Sequence, residues 1–239
     1  GTFTNTERRV QRVRKAVDPP HDASDDWQII CDIATKMGYL MNYKCAGEIM
    51  DEIASLTPIY GGISFERLAR QRPGIDSVGL QWPCPDKSHP GTKYLHKEKF
   101  TRGKGKFHAV EFKDPAELPS REYPFVLSTG RLLYQFHTGT MTRKSSAINQ
   151  VSPTGFVEIH PDDAKRLGIS DGLMVEVVTT RGKVTTPAKV TPDIGKGWLF
   201  MPFHFEEGPA NMLTIDELDP LAKIPEYKVC AANIRRLQG

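Results

Sequence analysis

From Tyr123 to the end, the sequence is a succession of short apolar runs cut by turn residues, and this half limits the fold most. The runs are "PFVLSTG", "GFVEIH", "LMVEVVTT", "KVTTPAKV" and "GWLFMPFHF", each of strand length and rich in β-branched or aromatic residues. "TTRGKV" lies between two of them and predicts a tight hairpin. One helix is expected in their midst: in "HPDDAKRLGISDG", Pro161 suits a first helical position, Ala164 and Leu167 share a face, and Gly168 can close the helix in the left-handed conformation. Short strands with one inserted helix and no βαβ alternation favour a small closed or nearly closed β-barrel over a parallel doubly wound sheet.

The first 72 residues read as mainly helical. In "SDDWQIICDIATKMGY", Trp27, Ile30, Cys31, Ala34 and Met37 recur at helical spacing, with Ser24 and Asp25 as caps and Gly38 as a stop. "AGEIMDEIASL" repeats the pattern through Ile49, Ile53 and Leu56, and "ISFERLAR" predicts a short third helix starting at Ser64 with Glu66 in its first turn. Residues 73–122 change character. Pro73, Pro83, Pro85, Pro90, Pro115 and Pro119 are scattered among Gly and Lys, with strand-like pieces such as "KFHAVEF", as expected of an extended connector.

Composition matters mainly by exclusion. Hydrophobic residues are 38% and charged residues 26% of the chain, so most of its 239 residues can fold around a core. A net charge of +3 supplies no global field for nucleic acid or an anionic membrane. Cys31, Cys45, Cys84 and Cys230 form no CxxC pair, which points to reduced thiols and a cytoplasmic setting. No run approaches the roughly 18–20 apolar residues of a membrane span. The opening "GTFTNTERRVQRVRKAV" reads as the interior of a longer polypeptide.

Two stretches carry candidate chemistry. In "STGRLLYQFHTGTMTRKSSAIN", residues 128–149, Gly130 would let a strand end turn sharply and approach a ligand, and Arg131 offers planar donors for an anion or a polarised heterocycle. A plain turn with a surface arginine is the other reading. His137, amid Thr138, Gly139, Thr140 and Thr142, suits a loop that hydrogen-bonds a polar ring, or a purely structural histidine, and no acid lies at local spacing to make it a proton carrier. In "MPFHFEEGPANMLT", Phe203 can cover a ring face or fill the core, and the Asn211 amide can both donate and accept. There is no nucleophile elbow or Walker-type loop, and the scattered histidines lack metal-ligand spacing. These residues support binding of a polar, anionic organic ligand better than a reaction.

Over nearly its whole length the chain resembles the molybdopterin-dependent oxidoreductases, specifically the C-terminal part of the catalytic subunit of formate dehydrogenase. The resemblance is carried in order by "GTFTNTERRVQ", "DWQIICDIATKMG", "EIMDEIASLTPIYGGISFERL", "STGRLLYQFHTGTMT", "FVEIHPDDAKRLGISDG" and "NMLTIDELDPLAKIPEYKVCAANI". It implies an α+β chain in three parts. Residues 1–72 would be the helical end of the central molybdopterin oxidoreductase domain, itself α/β; 73–122 the connector; and 123–239 a six-stranded double-psi β-barrel that binds molybdopterin guanine dinucleotide.

The implied cofactor is a pair of these dinucleotides holding molybdenum or tungsten, with a [4Fe-4S] cluster outside this chain. The matching contacts fall on Thr129, Gly130, Arg131, Leu132, Leu133, Tyr134, Gln135, Phe136, His137, Thr138, Phe203, Asn211 and Lys228. Asp26, with Asp25 beside it, matches an acid that suits the N–H donors of guanine. The resemblance assigns no metal ligand and no catalytic residue to these 239 residues; those lie upstream. It implies oxidation of formate to carbon dioxide or the reverse, and as partners the rest of the catalytic subunit and an iron-sulfur electron-transfer subunit, with no nucleic acid and no membrane segment. The alternatives are a related nitrate reductase and a separate molybdopterin-binding subunit. "GTFTNTERR" and "SLTPIYGGISFERL" favour formate.

Overall fold

The computed structural model describes residues 1–69 and 79–237. Arg70, Pro73 and the expected boundary between 72 and 73 lie outside the described residues. The chain forms two compact units, Gly1–His108 and Ala109–Gly239.

In the first unit, Thr2–Thr4 (β1), Arg9–Arg12 (β2) and Leu80–Gln81 (β3) form a three-stranded antiparallel sheet, which adds strands to a part read as mainly helical. The two N-terminal strands escape a periodicity test because they are short and mostly polar, with Val10 alone of their residues fully buried. The three expected helices form at Asp26–Lys36 (α1), Ala46–Leu56 (α2) and Phe65–Ala69 (α3). Asp25 occupies the N-cap position of α1 but makes no side-chain cap bond, and Gly38 closes the helix at φ +90°. Ser64 accepts from the Arg67 amide at 3.3 Å, a side-chain cap for α3.

The core of this unit is Val10, Met50, Ile63, Leu68, Leu80 and Cys84. Two arginines tie down the following loop: Arg8 donates to the carbonyls of Trp82, Thr92 and Lys93, and Arg67 to those of Gly62, Asp86 and His89. "KFHAVEF" forms no strand, and Phe107, Val110 and Phe112 are almost fully exposed. Strand-like alternation persists only where a neighbouring strand pairs its N–H and C=O groups, and none does here among the described residues.

The second unit is a closed six-stranded barrel. Its strands are Phe125–Gly130 (β4), Val157–Ile159 (β5), Met174–Val178 (β6), Lys183–Val190 (β7), Trp198–Pro202 (β8) and Cys230–Arg236 (β9), in the spatial order β4-β8-β5-β7-β6-β9. β4 with β8 and β5 with β7 run parallel; the other pairs are antiparallel. Exchanging the first three strands for the last three leaves this pairing unchanged, as the two interlocked halves of a double-psi barrel require.

The expected hairpin joins β6 to β7, with the Thr179 amide donating to Gly182 O at 2.9 Å. The inserted helix is Pro161–Leu167 (α5), where His160 Nδ1 accepts from the Asp162 amide and Gly168 turns out at φ +65°. Two elements depart from expectation. The sixth strand, β9, escapes a search for bulky β-formers because its buried positions include Cys230, Ala231 and Ala232. Within the segment expected to be loop, Ser146–Val151 forms a further helix (α4) with no fully buried residue, so it leaves no apolar stripe to read.

Alternation places Leu127, Val157, Ile159, Val175, Val177, Leu199 and Ile234 in one sealed core. Each contributes roughly 1.5–3 kcal/mol by leaving water. The same registers set the functional geometry. The C-terminal ends of β4, β6 and β8 and the N-terminal ends of β5, β7 and β9 meet at one rim.

Candidate functional site

That rim gathers the candidate residues of the second unit. The stretch 129–138 leaves the end of β4, Phe203 follows β8, and Lys228 precedes β9. The Thr129 hydroxyl donates to Tyr227 O at 2.7 Å, and Lys228 Nζ donates to Thr129 O at 2.6 Å. The Phe203 amide donates to Gly130 O at 3.2 Å. Phe203 is half-buried against the barrel core and carries the Arg131 guanidinium 5.8 Å above its ring and the His137 ring 6.4 Å away, edge-on. Phe203 thus packs against the core while contacting Arg131 and His137.

Gly130 is required for a reason the sequence did not suggest. A Cβ there would lie 2.5 Å from Phe200 Cε2, so the glycine makes room for a ring on the neighbouring strand.

The loop after Gly130 is open on its outer side and fastened on its inner side. Leu133, Tyr134 and Phe136 are 89%, 54% and 57% exposed, and Arg131, His137 and Thr138 are exposed as well. Gln135 alone turns fully inward, donating to Ser152 O at 2.9 Å and accepting from the Thr142 hydroxyl at 2.6 Å. The amides of Leu133, Tyr134, His137 and Thr138 have no hydrogen-bond acceptor among the described residues. His137 adopts φ +51°, a left-handed conformation that costs a non-glycine residue about 1 kcal/mol or more. Gly139 follows at φ +77°, where a Cβ would approach His204 O to 2.8 Å.

The residue that sequence reading missed is His204. It is 2% exposed; its Nε2 accepts from the Leu132 amide at 2.8 Å, and its Nδ1 bonds His137 O. Both bonds are made at once by the neutral ring with its proton on Nδ1. "FHF" was the visible signal, but both partners are backbone atoms, 67 and 72 positions away.

Nearby, Arg143 forms a bidentate pair with Glu207, both N–O distances 2.6 Å, and lies over Phe205. The Arg143 hydrogen bonds hold the Glu207 carboxyl below its usual range.

Asn211 sits in the 3₁₀ turn Ala210–Met212. A Cβ on Gly182, in the hairpin of the same rim, would meet Met212 O at 3.4 Å. The Asn211 side chain is solvent-facing. Asp26 is the first residue of α1, in the other unit, and is exposed.

Residues 125–231, from β4 to the start of β9, match the molybdopterin dinucleotide binding domain, and residues 1–36 match the molybdopterin oxidoreductase domain. The chain belongs to the molybdopterin oxidoreductase family.

Its relatives in this family include the F420-dependent formate dehydrogenase subunit alpha of Methanocaldococcus jannaschii, 51% identical over 99% of this chain and 35% of that protein. Formate dehydrogenase H of Escherichia coli is 39% identical over 98% of this chain and 33% of its own length. The assimilatory nitrate reductase catalytic subunit of Bacillus subtilis is 38% identical over 98% and 34%. The chain thus spans about a third of the length of these relatives. Acetylene hydratase from Pelobacter acetylenicus shares the fold, with a TM-score of 0.65 over 99% of this chain and 36% of that one, at 19% identity.

Within this family the barrel is the dinucleotide-binding domain. All four cysteines are free thiols, and the described residues contain no group of three or more His, Cys, Asp or Glu side chains able to hold a metal. No helix among the described residues is long and apolar enough to cross a membrane.

Proposed function

We propose that this chain is the cofactor-cradling C-terminal portion of a molybdenum- or tungsten-dependent formate dehydrogenase, in which the rim residues hold a pair of molybdopterin guanine dinucleotides. The observation that carries this reading is the 48–51% identity, over 99% of the chain, to alpha subunits of F420-dependent formate dehydrogenases.

The rim suits such a group chemically. The open amides of Leu133, Tyr134, His137 and Thr138 would donate to pterin and phosphate acceptors, with Thr129, Gly130, Leu132, Gln135 and Phe136 completing the cradle. Arg131 and Lys228 would face the anionic parts; Lys228 spends one of its ammonium protons on Thr129 O and retains two for a ligand. Phe203 and Asn211 would meet ring faces and edges, and Asp26 the guanine. When bound, the cofactor would supply a metal centre that accepts the two electrons of formate oxidation. Within this chain the residues bind, orient and neutralise, and none carries the proton or the bond-breaking step.

The proposed organisation keeps 1–72 as the end of the central catalytic domain, 73–122 as connector and 123–239 as the dinucleotide domain. A [4Fe-4S] cluster and an iron-sulfur electron-transfer subunit complete the path for electrons, and the reduced cysteines suit a cytoplasmic setting.

Assaying the full-length protein with formate and F420, and in parallel with nitrate, tests the reading. Formate-dependent reduction without nitrate turnover is the expected result. Nitrate turnover alone would favour the second reading, which the 38% identity to a nitrate reductase subunit supports.

A further inference from the structure

We propose that His204 is a positioning residue for the cofactor loop, acting as a two-point staple beneath it. The inference rests on the reading of residues 129–138 as the cradle and assigns the loop's shape to a residue outside it.

The loop from Leu132 to His137 must keep several amides unpaired toward a ligand, yet hold its backbone still. Water-exposed loops with free amides are ordinarily mobile, and a mobile cradle loses affinity to the entropy of ordering it. His204 resolves the conflict from the buried side. Its Nε2 accepts the Leu132 N–H at 2.8 Å and its Nδ1–H donates to His137 O, so both ends of the segment are fixed by one rigid ring that is 2% exposed. Between these ends Gln135 is tied to Ser152 and Thr142, and Thr142 also accepts the Phe136 amide at 3.1 Å. Gly139 then packs against the His204 carbonyl, too closely for any side chain. The left-handed His137 is the conformation that turns its carbonyl down onto the ring.

The neutral ring is a donor at one nitrogen and an acceptor at the other, and the two amide side chains each reproduce one half. In His204→Gln, the carbonyl oxygen reaches the Nε2 position and can accept from Leu132. In His204→Asn, the amide nitrogen occupies the Nδ1 position and can donate to His137. His204→Ala removes both.

The test is made in the full-length protein, with two readouts: hydrogen exchange of the Leu132 amide, and oxidised-pterin fluorescence per mole of protein after gel filtration. Exchange at Leu132 should accelerate roughly tenfold or more in the Ala and Asn variants, as expected for loss of one buried hydrogen bond, and stay near wild type in the Gln variant. Pterin retention should rank wild type first, the two amide variants between, and Ala last, with the exchange of core amides in β4 and β8 unchanged. Equal pterin retention in wild type and His204→Ala, or unaltered Leu132 exchange, would overturn the proposal. If the Ala variant does not fold, the opposite effects expected of Gln and Asn at Leu132 decide it; equal exchange in those two would refute the staple. Failure of the cradle reading looks different: a wild type whose Leu132 amide is protected but which carries no pterin overturns that reading, and the positioning role with it.

Discussion

In the barrel, Leu127, Val157, Ile159, Val175, Val177 and Leu199 have no exposed surface, whereas in the first unit Ile30, Met37, Leu40 and Leu56 are 58%, 81%, 79% and 74% exposed. Both regions carry good secondary structure, so the difference is one of closure. A barrel joins its last strand to its first and buries its apolar face unaided. Two amphipathic helices on a small sheet leave their outer apolar residues to solvent, here with only Cys31 of α1 and Met50 of α2 fully buried. The barrel therefore holds the exposed loop after β4 on a sealed base, while the helices of the first unit keep much of their apolar surface open.

The largest test of this contrast is truncation. Leu199→Ala in the barrel should destabilise that unit by about 2–5 kcal/mol, and Leu56→Ala in α2 should change stability by no more than about 0.5 kcal/mol. Denaturant titration of both variants checks this, and equal losses would break the comparison.

A matched pair of glycines sharpens it. Gly139 and Gly38 both have positive φ, but a Cβ on Gly139 meets His204 O and Arg143, while one on Gly38 meets nothing within 4 Å. Gly139→Ala should cost about 2–4 kcal/mol, combining strain with overpacking, and Gly38→Ala about 1 kcal/mol from backbone strain alone. Thermal unfolding of the two variants separates these terms.

Next comes the clasp on the barrel's hairpin. Glu117 receives both Arg181 guanidinium nitrogens at 2.9 Å and the Ala231 amide at 2.8 Å. The Arg181 hydrogen bonds hold its carboxyl below the ordinary 4.5. A depressed folded-state pKa contributes stability that is complete above the unfolded value and is lost as pH falls through the folded one. Glu117→Gln should therefore cost about 1 kcal/mol at neutral pH, with the gap to wild type closing only below pH 4.5. Unfolding free energies measured across this range check the sign.

The smallest perturbation is chemical. Burial pushes the Cys230 thiol up to about 11, and Cys84 is fully buried while Cys45 is exposed. A thiol reagent at pH 8 should label Cys45 rapidly and reach Cys230 only on unfolding, as peptide mapping would show.

What the sequence revealed follows the same division. Pro161, Gly168 and the alternation of "KVTTPAKV" are local signals, and the helix α5, the hairpin and strand β7 follow from them directly. β9 stayed hidden because its small buried residues carry weak propensity and its ladder depends on strands 55 to 107 positions away. The loop after β4 stood out by composition, since short donors crowd around Gly139. His204 did not, because a histidine whose partners are distant backbone atoms looks the same in sequence as any core residue. Gly130 stood out as a strand end that could approach a ligand, whereas the constraint on it within the barrel is the Phe200 ring on the neighbouring strand.

The central claim, that this barrel holds a guanine dinucleotide form of molybdopterin, is tested most directly by acid hydrolysis of the purified full-length protein, with GMP and oxidised pterin quantified together. The account predicts that both are released in equal amounts, a pair of each per chain, and that both fall in parallel in an Arg131→Ala, Lys228→Ala double variant that keeps its fold. Pterin without GMP, or neither from well-folded wild type, would contradict it.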